Sequence, residues 1–129
     1  GERIDQMQTR IGSALSTWNP RVVFLHAGTN DIVQDFSLGS AQSRLATLVQ
    51  TCLDHPSVER VYVADLINFR STATTFNTRA NTFRTGLSTA LSSQIATGKC
   101  FLLTTFNNLI IDANFTVGDD VHPNKTGYD

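Results

Sequence analysis

The chain has 129 residues, a length that suits one small domain with its own hydrophobic core. Hydrophobic residues make up 40% of the sequence and charged residues 16%, as in ordinary globular proteins. The formal net charge of -1 argues against nucleic acid and anionic membranes as partners, and no apolar run approaches the roughly 20 residues that a membrane-spanning helix needs.

The first elements can be predicted from the spacing of apolar residues. Helical spacing over residues 3–18 predicts an amphipathic helix whose inward face includes Trp18. Asn19-Pro20 ends this helix, because proline disfavours the helical conformation in the residue before it. The apolar run from Val22 to Leu25 then predicts a strand covered on both faces, followed by "GTND" (28–31) as a polar loop.

The same alternation continues to the end of the chain. Further helices are predicted at 41–53, with Ser40 as cap, at 77–96 and after Pro123, and further strands at 60–66 and 101–106, with a loop over 107–120. Helices that alternate with buried strands through short connections indicate a parallel sheet with right-handed crossovers. The predicted fold class is therefore α/β.

We expect residues 1–129 to form the carboxyl-terminal part of one such domain. A doubly wound sheet usually has five or more strands, whereas this sequence predicts three. The pattern also begins and ends inside helical segments. The expectation is a three-layer α/β/α, flavodoxin-like sheet without its first strand, its nucleophile turn and its closing helix.

Polar residues follow the first and last predicted strands, whose carboxyl ends share the edge at which ligands bind. The side chain of Asn30 can donate to a developing oxyanion. Asp119 precedes His122 by three residues, close enough to accept the Nδ1 proton and orient the ring as a base. Each motif alone is more typical of an ordinary turn or an exposed loop than of a catalytic site. A metal site made of Asp119, Asp120 and His122 has no evident further ligand.

Together, "GTND" and "DDVH" resemble the third and last blocks of the SGNH (GDSL-type) hydrolases. With "GERIDQM", "VVFLHAGTNDI" and "VYVADL", the sequence is most similar to the carbohydrate esterases of family three. The resemblance implies Asp119 and His122 as acid and base of a catalytic triad, and Asn30 as an oxyanion donor. It also implies Gly1 as a backbone oxyanion donor, and it implies no metal or organic cofactor.

The serine of that triad has no counterpart in the sequence. None of the ten serines follows a buried strand in a Gly-Asp-Ser-type turn. The resemblance therefore implies an esterase that removes acetyl groups from a polysaccharide such as xylan, with this chain inactive without the missing serine. An SGNH lipase or thioesterase and a non-catalytic carbohydrate-binding relative are the alternatives. A flavodoxin-like nucleotide-binding domain would need a glycine-rich phosphate loop, which the sequence lacks.

Four residues bear on the compartment in which the protein acts. Cys52 and Cys100 are either two buried free thiols or one disulfide far from the site. Asn114 and Asn124 begin sequons for N-glycosylation. We expect a secreted, extracellular monomer whose partner is an acetylated polysaccharide or another ester substrate.

Overall fold

The computed structural model describes residues 1–104, 112–115 and 118–128. Its helices are α1 (Ile4–Trp18), α2 (Thr29–Val33), α3 (Ala41–Asp54), α4 (Thr74–Ala90), α5 (Ser92–Ala96) and α6 (Lys125–Tyr128). Its strands are β1 (Val22–His26), β2 (Arg60–Ala64) and β3 (Cys100–Leu103). Short 3₁₀ turns cover Leu38–Ser40 and Asp112–Asn114. None of the described helices is both long and apolar enough to cross a membrane.

Within the described residues, the strands form a three-stranded parallel sheet in the order β1-β2-β3. Val23 of β1 is paired with Val61 of β2, and Val63 of β2 with Leu102 of β3. Parallel neighbours need a crossover connection, and helices supply it between each pair of strands here. The predicted α/β class with a parallel sheet is thus confirmed.

The core lies between this sheet and the long helices. Val61 and Val63 of the central strand are fully buried. Buried residues of α1, α3 and α4 form one hydrophobic cluster with those of the strands, among them Ile4, Leu15, Leu45, Leu48, Val49, Ala80, Phe83 and Leu87. Burial of this apolar area is the main stabilising contribution to the domain.

The other face of the sheet carries a row of aromatic rings. Side chains alternate between the two faces of a strand, so Phe24, Tyr62 and Phe101 lie side by side on three neighbouring strands. Their ring centroids are 5.0 Å and 5.2 Å apart, in stacked geometry. Phe24 is 73% exposed and Phe101 is 39% exposed. The prediction that β1 is covered on both faces is therefore wrong for the described residues.

Two helices differ from their predicted form. Trp18 is 79% exposed at the last position of α1, beyond the part of the helix that packs on the core. The helix predicted at 77–96 begins earlier, at Thr74, and is interrupted at Leu91, whose φ of -96° and ψ of 6° separate α4 from α5. Strand β3 ends at Leu103, and residues 105–106 of the predicted strand lie outside the described residues.

Candidate active site

A cavity of about 490 Å³ opens at the carboxyl ends of β1 and β2, the edge at which ligands bind in parallel sheets. Gly1, Asn30 and His122, three residues predicted to form the site, line this cavity. Asp119 contacts the ring of His122. The fold therefore brings the four predicted site residues together, two from the first 30 residues and two from residues 119–122.

Asp119 and His122 form an acid–imidazole pair within one tight turn. Oδ2 of Asp119 lies 2.7 Å from Nδ1 of His122. Oδ1 of Asp119 accepts hydrogen bonds from the backbone N–H groups of Val121 at 2.7 Å and of His122 at 3.0 Å. The turn holds the carboxylate, and the carboxylate orients the ring. Because Nδ1 is engaged, Nε2 is the nitrogen left to accept a proton.

These hydrogen bonds also fix the charge of Asp119. The bond from His122 is the largest influence, and with the two backbone N–H groups it lowers the pKa of the Asp119 carboxyl to about 2. The side chain is therefore ionised at neutral pH. A carboxylate in this position stabilises the imidazolium that forms when the histidine takes a proton.

The loop that carries His122 is fastened to the segment that follows β2. The backbone N–H of Arg70 donates to the carbonyl oxygen of Asp120 at 3.1 Å, and the Arg70 guanidinium lies 3.4 Å from the Asp120 carboxylate. Beside it, the backbone N–H of Ser71 donates to the carboxylate of Asp112 at 2.8 Å. Asp112 and Asp120 thus bind Ser71 and Arg70, and these contacts fix the loop to the segment that follows β2.

Gly1 and Asn30 lie against each other at the cavity. Nδ2 of Asn30 donates to the carbonyl oxygen of Glu2 at 3.3 Å. A methyl group added to Cα of Gly1 would lie 2.5 Å from the same nitrogen. A side chain at Gly1 would therefore push the Asn30 amide out of place. A side-chain amide beside the backbone of Gly1 is an arrangement that can offer two donors to an oxyanion.

A tight turn at Gly28 places Asn30 at the cavity. Gly28 has a φ of 118°, a conformation that glycine adopts without strain, and a Cβ at this position would lie 3.0 Å from the ring of Phe83. The chain passes through this turn directly from β1 into α2. Residues 28–31 therefore begin a short helix, and the predicted polar loop is corrected.

Two further titratable residues, His26 and Asp65, line the cavity. Sequence patterns place His26 in the core, whereas the structure exposes it at the last position of β1. Asp65 directly follows β2 and is only 4% exposed. The protein groups around the exposed ring still remove part of it from water, which lowers the pKa of His26, and the negative charge of Asp65 partly opposes this shift. Both residues could have been found from the sequence, because each lies at the carboxyl end of a predicted strand, where sites form in parallel sheets.

Much of the cavity wall is apolar. Val33 of α2, Ala64 of β2, Ile67 after β2, and Val121 beside the histidine all line it. In the sequence, the loops that follow "GTND" and "VADL" look polar, which favours sugar esters as substrates. The structure shows that these segments also contribute apolar side chains to the cavity.

No serine lines the cavity. All ten serines lie within the described range 1–104, and none of them is among the lining residues. Among the described residues that line the cavity, the one with a hydroxyl group is Thr29, directly before Asn30. The described chain thus supplies a base, its carboxylate and oxyanion donors, but no serine nucleophile.

Of the two alternatives for the cysteines, the structure shows free thiols. Cys52 is fully buried on α3, and Cys100 is 2% exposed at the start of β3. Burial raises the pKa of the Cys52 thiol to about 11, so that it stays protonated at neutral pH. Each sulfur takes part in the apolar core, and the disulfide alternative is not realised in the structure.

The structure also bears on the two sequons and on the proposed metal site. The side-chain amide of Asn124 donates to the carbonyl oxygens of Ala113 at 3.0 Å and Phe115 at 3.2 Å. Asn114 ends a 3₁₀ turn, and glycosylation of either asparagine stays a prediction. In the part of the chain that the structure describes, no three His, Cys, Asp or Glu side chains are grouped to hold a metal ion.

Comparison with known proteins identifies the family. The sequence model of the GDSL-like lipase/acylhydrolase family matches residues 1–129. The chain belongs to this family. The match confirms the resemblance to SGNH (GDSL-type) hydrolases and makes a hydrolase the expected type of enzyme. A comparison with curated protein sequences found no match.

Solved structures of other proteins share the fold of this chain. Two catalytic mutants of Axe2, an acetylxylan esterase from Geobacillus stearothermophilus, align with 98% of this chain at a TM-score of 0.75 and 14% identity. A GDSL-like lipase from Bacteroides thetaiotaomicron aligns with 99% of it at a TM-score of 0.67 and 15% identity. The chain spans 63% and 62% of the two esterase structures and 66% of the lipase. At these identities the likeness is one of fold.

Proposed function

We propose that the cavity is the active site of an SGNH-type serine esterase. The observation that carries this proposal is the 2.7 Å contact between Nδ1 of His122 and Oδ2 of Asp119, at a cavity that Asn30 also lines. A histidine oriented by an ionised carboxylate, next to oxyanion donors, is the arrangement that acyl transfer requires. Membership of the GDSL-like family supports the same chemistry.

In this scheme, the nucleophile is a serine that precedes Gly1 in the natural protein. Its Oγ attacks the ester carbonyl carbon while Nε2 of His122 takes its proton. The oxyanion then accepts hydrogen bonds from Nδ2 of Asn30 and from the backbone N–H of Gly1. His122 gives the proton to the departing alkoxide, and a water molecule activated in the same way releases the acid and regenerates the serine.

The proposed substrate is an acetyl ester on a polysaccharide such as xylan. Similarity to the fold of an acetylxylan esterase supports it, as does the exposure of His122, whose side chain is 68% exposed to solvent. We further propose that the protein is secreted, in keeping with its two sequons, and that it is a monomer.

One observation favours a second candidate, an ester or thioester with a longer acyl chain. Val33, Ile67 and Val121 give the cavity an apolar wall that a bare acetyl group would leave largely unfilled. The similarity to the fold of a GDSL-like lipase is compatible with this alternative.

The first test compares this chain with the same chain preceded by its natural upstream sequence. Each is assayed for acetate release from acetylated xylan and for hydrolysis of p-nitrophenyl esters of two to eight carbons. We expect activity in the extended protein alone. His122→Ala should lower kcat by about 10³-fold or more, because the base is lost.

His55→Ala is the matched control, because His55 lies after α3, bonded through Nδ1 to Ser57 at 2.9 Å, and does not line the cavity. It should leave the activity unchanged. A folded extended protein that hydrolyses no ester would refute the esterase proposal. Preference for the longer esters over acetate would replace the deacetylase by the second candidate.

A further inference from the structure

Asp31 is a carboxylate to which the proposed chemistry gives no role, although it is completely buried. Its Oδ2 accepts a hydrogen bond from the backbone N–H of Ile4 at 3.0 Å. Its Oδ1 accepts one from Nη2 of Arg44 at 2.7 Å. Buried carboxylates are costly unless they are paired and hydrogen-bonded, so these two contacts are what allow Asp31 to occupy this position.

The two contacts join three helices. Ile4 is the first residue of α1, Asp31 lies in α2, and Arg44 lies in α3. The same nitrogen of Arg44 also donates to the carbonyl oxygen of Phe36 at 3.1 Å, and Nη1 donates to the carbonyl oxygen of Ser37 at 3.1 Å, so that both ends of the guanidinium are held. Asp31 is therefore held rigidly by α3 and in turn holds the first residue of α1.

The residues just before Ile4 are those that meet the oxyanion donor. Asn30, the neighbour of Asp31 on α2, donates to the carbonyl oxygen of Glu2 at 3.3 Å. Gly1 lies so near the same amide nitrogen that a Cβ added to it would be 2.5 Å away. Asn30 and Asp31, adjacent residues of α2, thus form hydrogen bonds with the backbone of Glu2 and Ile4, respectively. The contact at 3.3 Å is long for a hydrogen bond, and the shorter bond to a buried charge is the stronger of the two.

We propose that Asp31 is a positioning residue that holds Gly1 and Glu2 against Asn30 and thereby sets the spacing of the two oxyanion donors. The inference rests on the proposed function of the cavity, because it assigns Asp31 a role in that site. It predicts that removal of the carboxylate separates Gly1 from Asn30 while the Asp119–His122 pair stays as it is.

The test is a nuclear Overhauser measurement on the full chain without ligand. The α protons of Gly1 and the side-chain amide protons of Asn30 should give a cross-peak in the native chain and none in Asp31→Ala. Asp35→Asn is the matched control: Asp35 forms a 2.8 Å ion pair with Arg79, and its φ of 53° suits asparagine. This variant loses an ion pair of the same region but should keep the cross-peak.

A second variant removes the donor and leaves Asp31 and Arg44 in place. Ile4→Pro lacks the backbone N–H but suits the first position of a helix, and Arg3 has the φ of -79° and ψ of 166° that a residue before proline prefers. It should lose the cross-peak, whereas Ile4→Val, which retains the N–H, should keep it. A cross-peak that persists in folded Ile4→Pro or folded Asp31→Ala would overturn the proposal.

An acetate titration keeps the two proposals apart. Sodium acetate should shift the resonances of the His122 ring and the Asn30 amide in the native chain, and those of His122 alone in Ile4→Pro. If acetate shifts neither group in the native chain, the proposed function is weakened while the cross-peak still decides the role of Asp31. A merely structural role would lower the melting temperature of the variants and leave the cross-peak in place.

Discussion

Two ion pairs of equal length show how strongly burial changes the contribution of a single residue. Arg44 lies 2.7 Å from Asp31, and Arg21 lies 2.7 Å from Glu59. The side chains of the first pair are 20% and 0% exposed, whereas those of the second are 77% and 55% exposed. Water screens the second pair and is excluded from the first, so loss of one partner has different consequences.

Arg44→Met should therefore lower the free energy of unfolding by roughly 3–5 kcal/mol, because it leaves the buried Asp31 carboxylate without its counter-charge. Arg21→Met should lower it by less than about 1 kcal/mol. Urea denaturation followed by circular dichroism measures both. Equal effects of the two substitutions would show that the buried pair has no special role in stability.

At this scale, the sequence allowed the Asp119–His122 pair to be predicted but not the role of Asp31. A separation of three residues in one turn makes the first contact almost inevitable. Asp31 instead meets residues 27 and 13 positions away, and only the folded helices bring them to it. His26 was misplaced for a related reason, since the sequence does not show which face of β1 the helices cover.

Among the elements, the turn over residues 119–122 has the clearest dependence on pH. The pKa of Asp119 is about 2 in the folded chain, below the ordinary value for an aspartate of about 4. The folded state therefore binds the proton less readily than the unfolded state. The contribution of this carboxylate to stability is complete above about pH 4 and disappears as the pH falls from about 4 to 2.

Asp119→Asn should accordingly lower the melting temperature at pH 6, and the difference from the native chain should close as the pH approaches 2. Thermal melts of both proteins between pH 2 and pH 6 measure this difference. A gap that stays constant across the range would mean that the ionised form of Asp119 contributes nothing to stability.

Most helices and strands could be predicted because their apolar spacing is regular, but their ends could not. Trp18 continues the apolar spacing of α1, but the core against which α1 packs has already ended before this residue. Apolar spacing alone does not show where along a helix the packing surface ends. The threonines at the start of α4 look unfavourable for a helix, yet Thr74 begins it. Packing of the apolar face of α4 on the core overrides this weak preference.

For the molecule as a whole, the two faces of the sheet differ sharply in burial. One face packs against the helices, while the other presents the stacked rings of Phe24, Tyr62 and Phe101. Apolar burial is the dominant stabilising term, so the helix-covered face should contribute most of the stability.

Phe24→Ala and Phe83→Ala test this difference with the same substitution. Phe24 is 73% exposed and Phe83 is 4% exposed. Loss of Phe24 should cost about 1 kcal/mol, mainly from its stacking on Tyr62, whereas loss of Phe83 should cost about 3–5 kcal/mol. Urea unfolding provides both values. A cost for Phe24→Ala as large as that for Phe83→Ala would show that the aromatic face contributes as much as the core.

The three hydrogen bonds that orient the imidazole all lie within four consecutive residues, 119–122. The oxyanion side instead depends on the residues just before α1 meeting α2, a contact that spans 28 positions between Glu2 and Asn30. An insertion between these two helices would disturb the second half of the site and leave the first unchanged. Base and oxyanion donors can therefore be lost independently during evolution, and a descendant without the donors would retain a histidine that still looks catalytic.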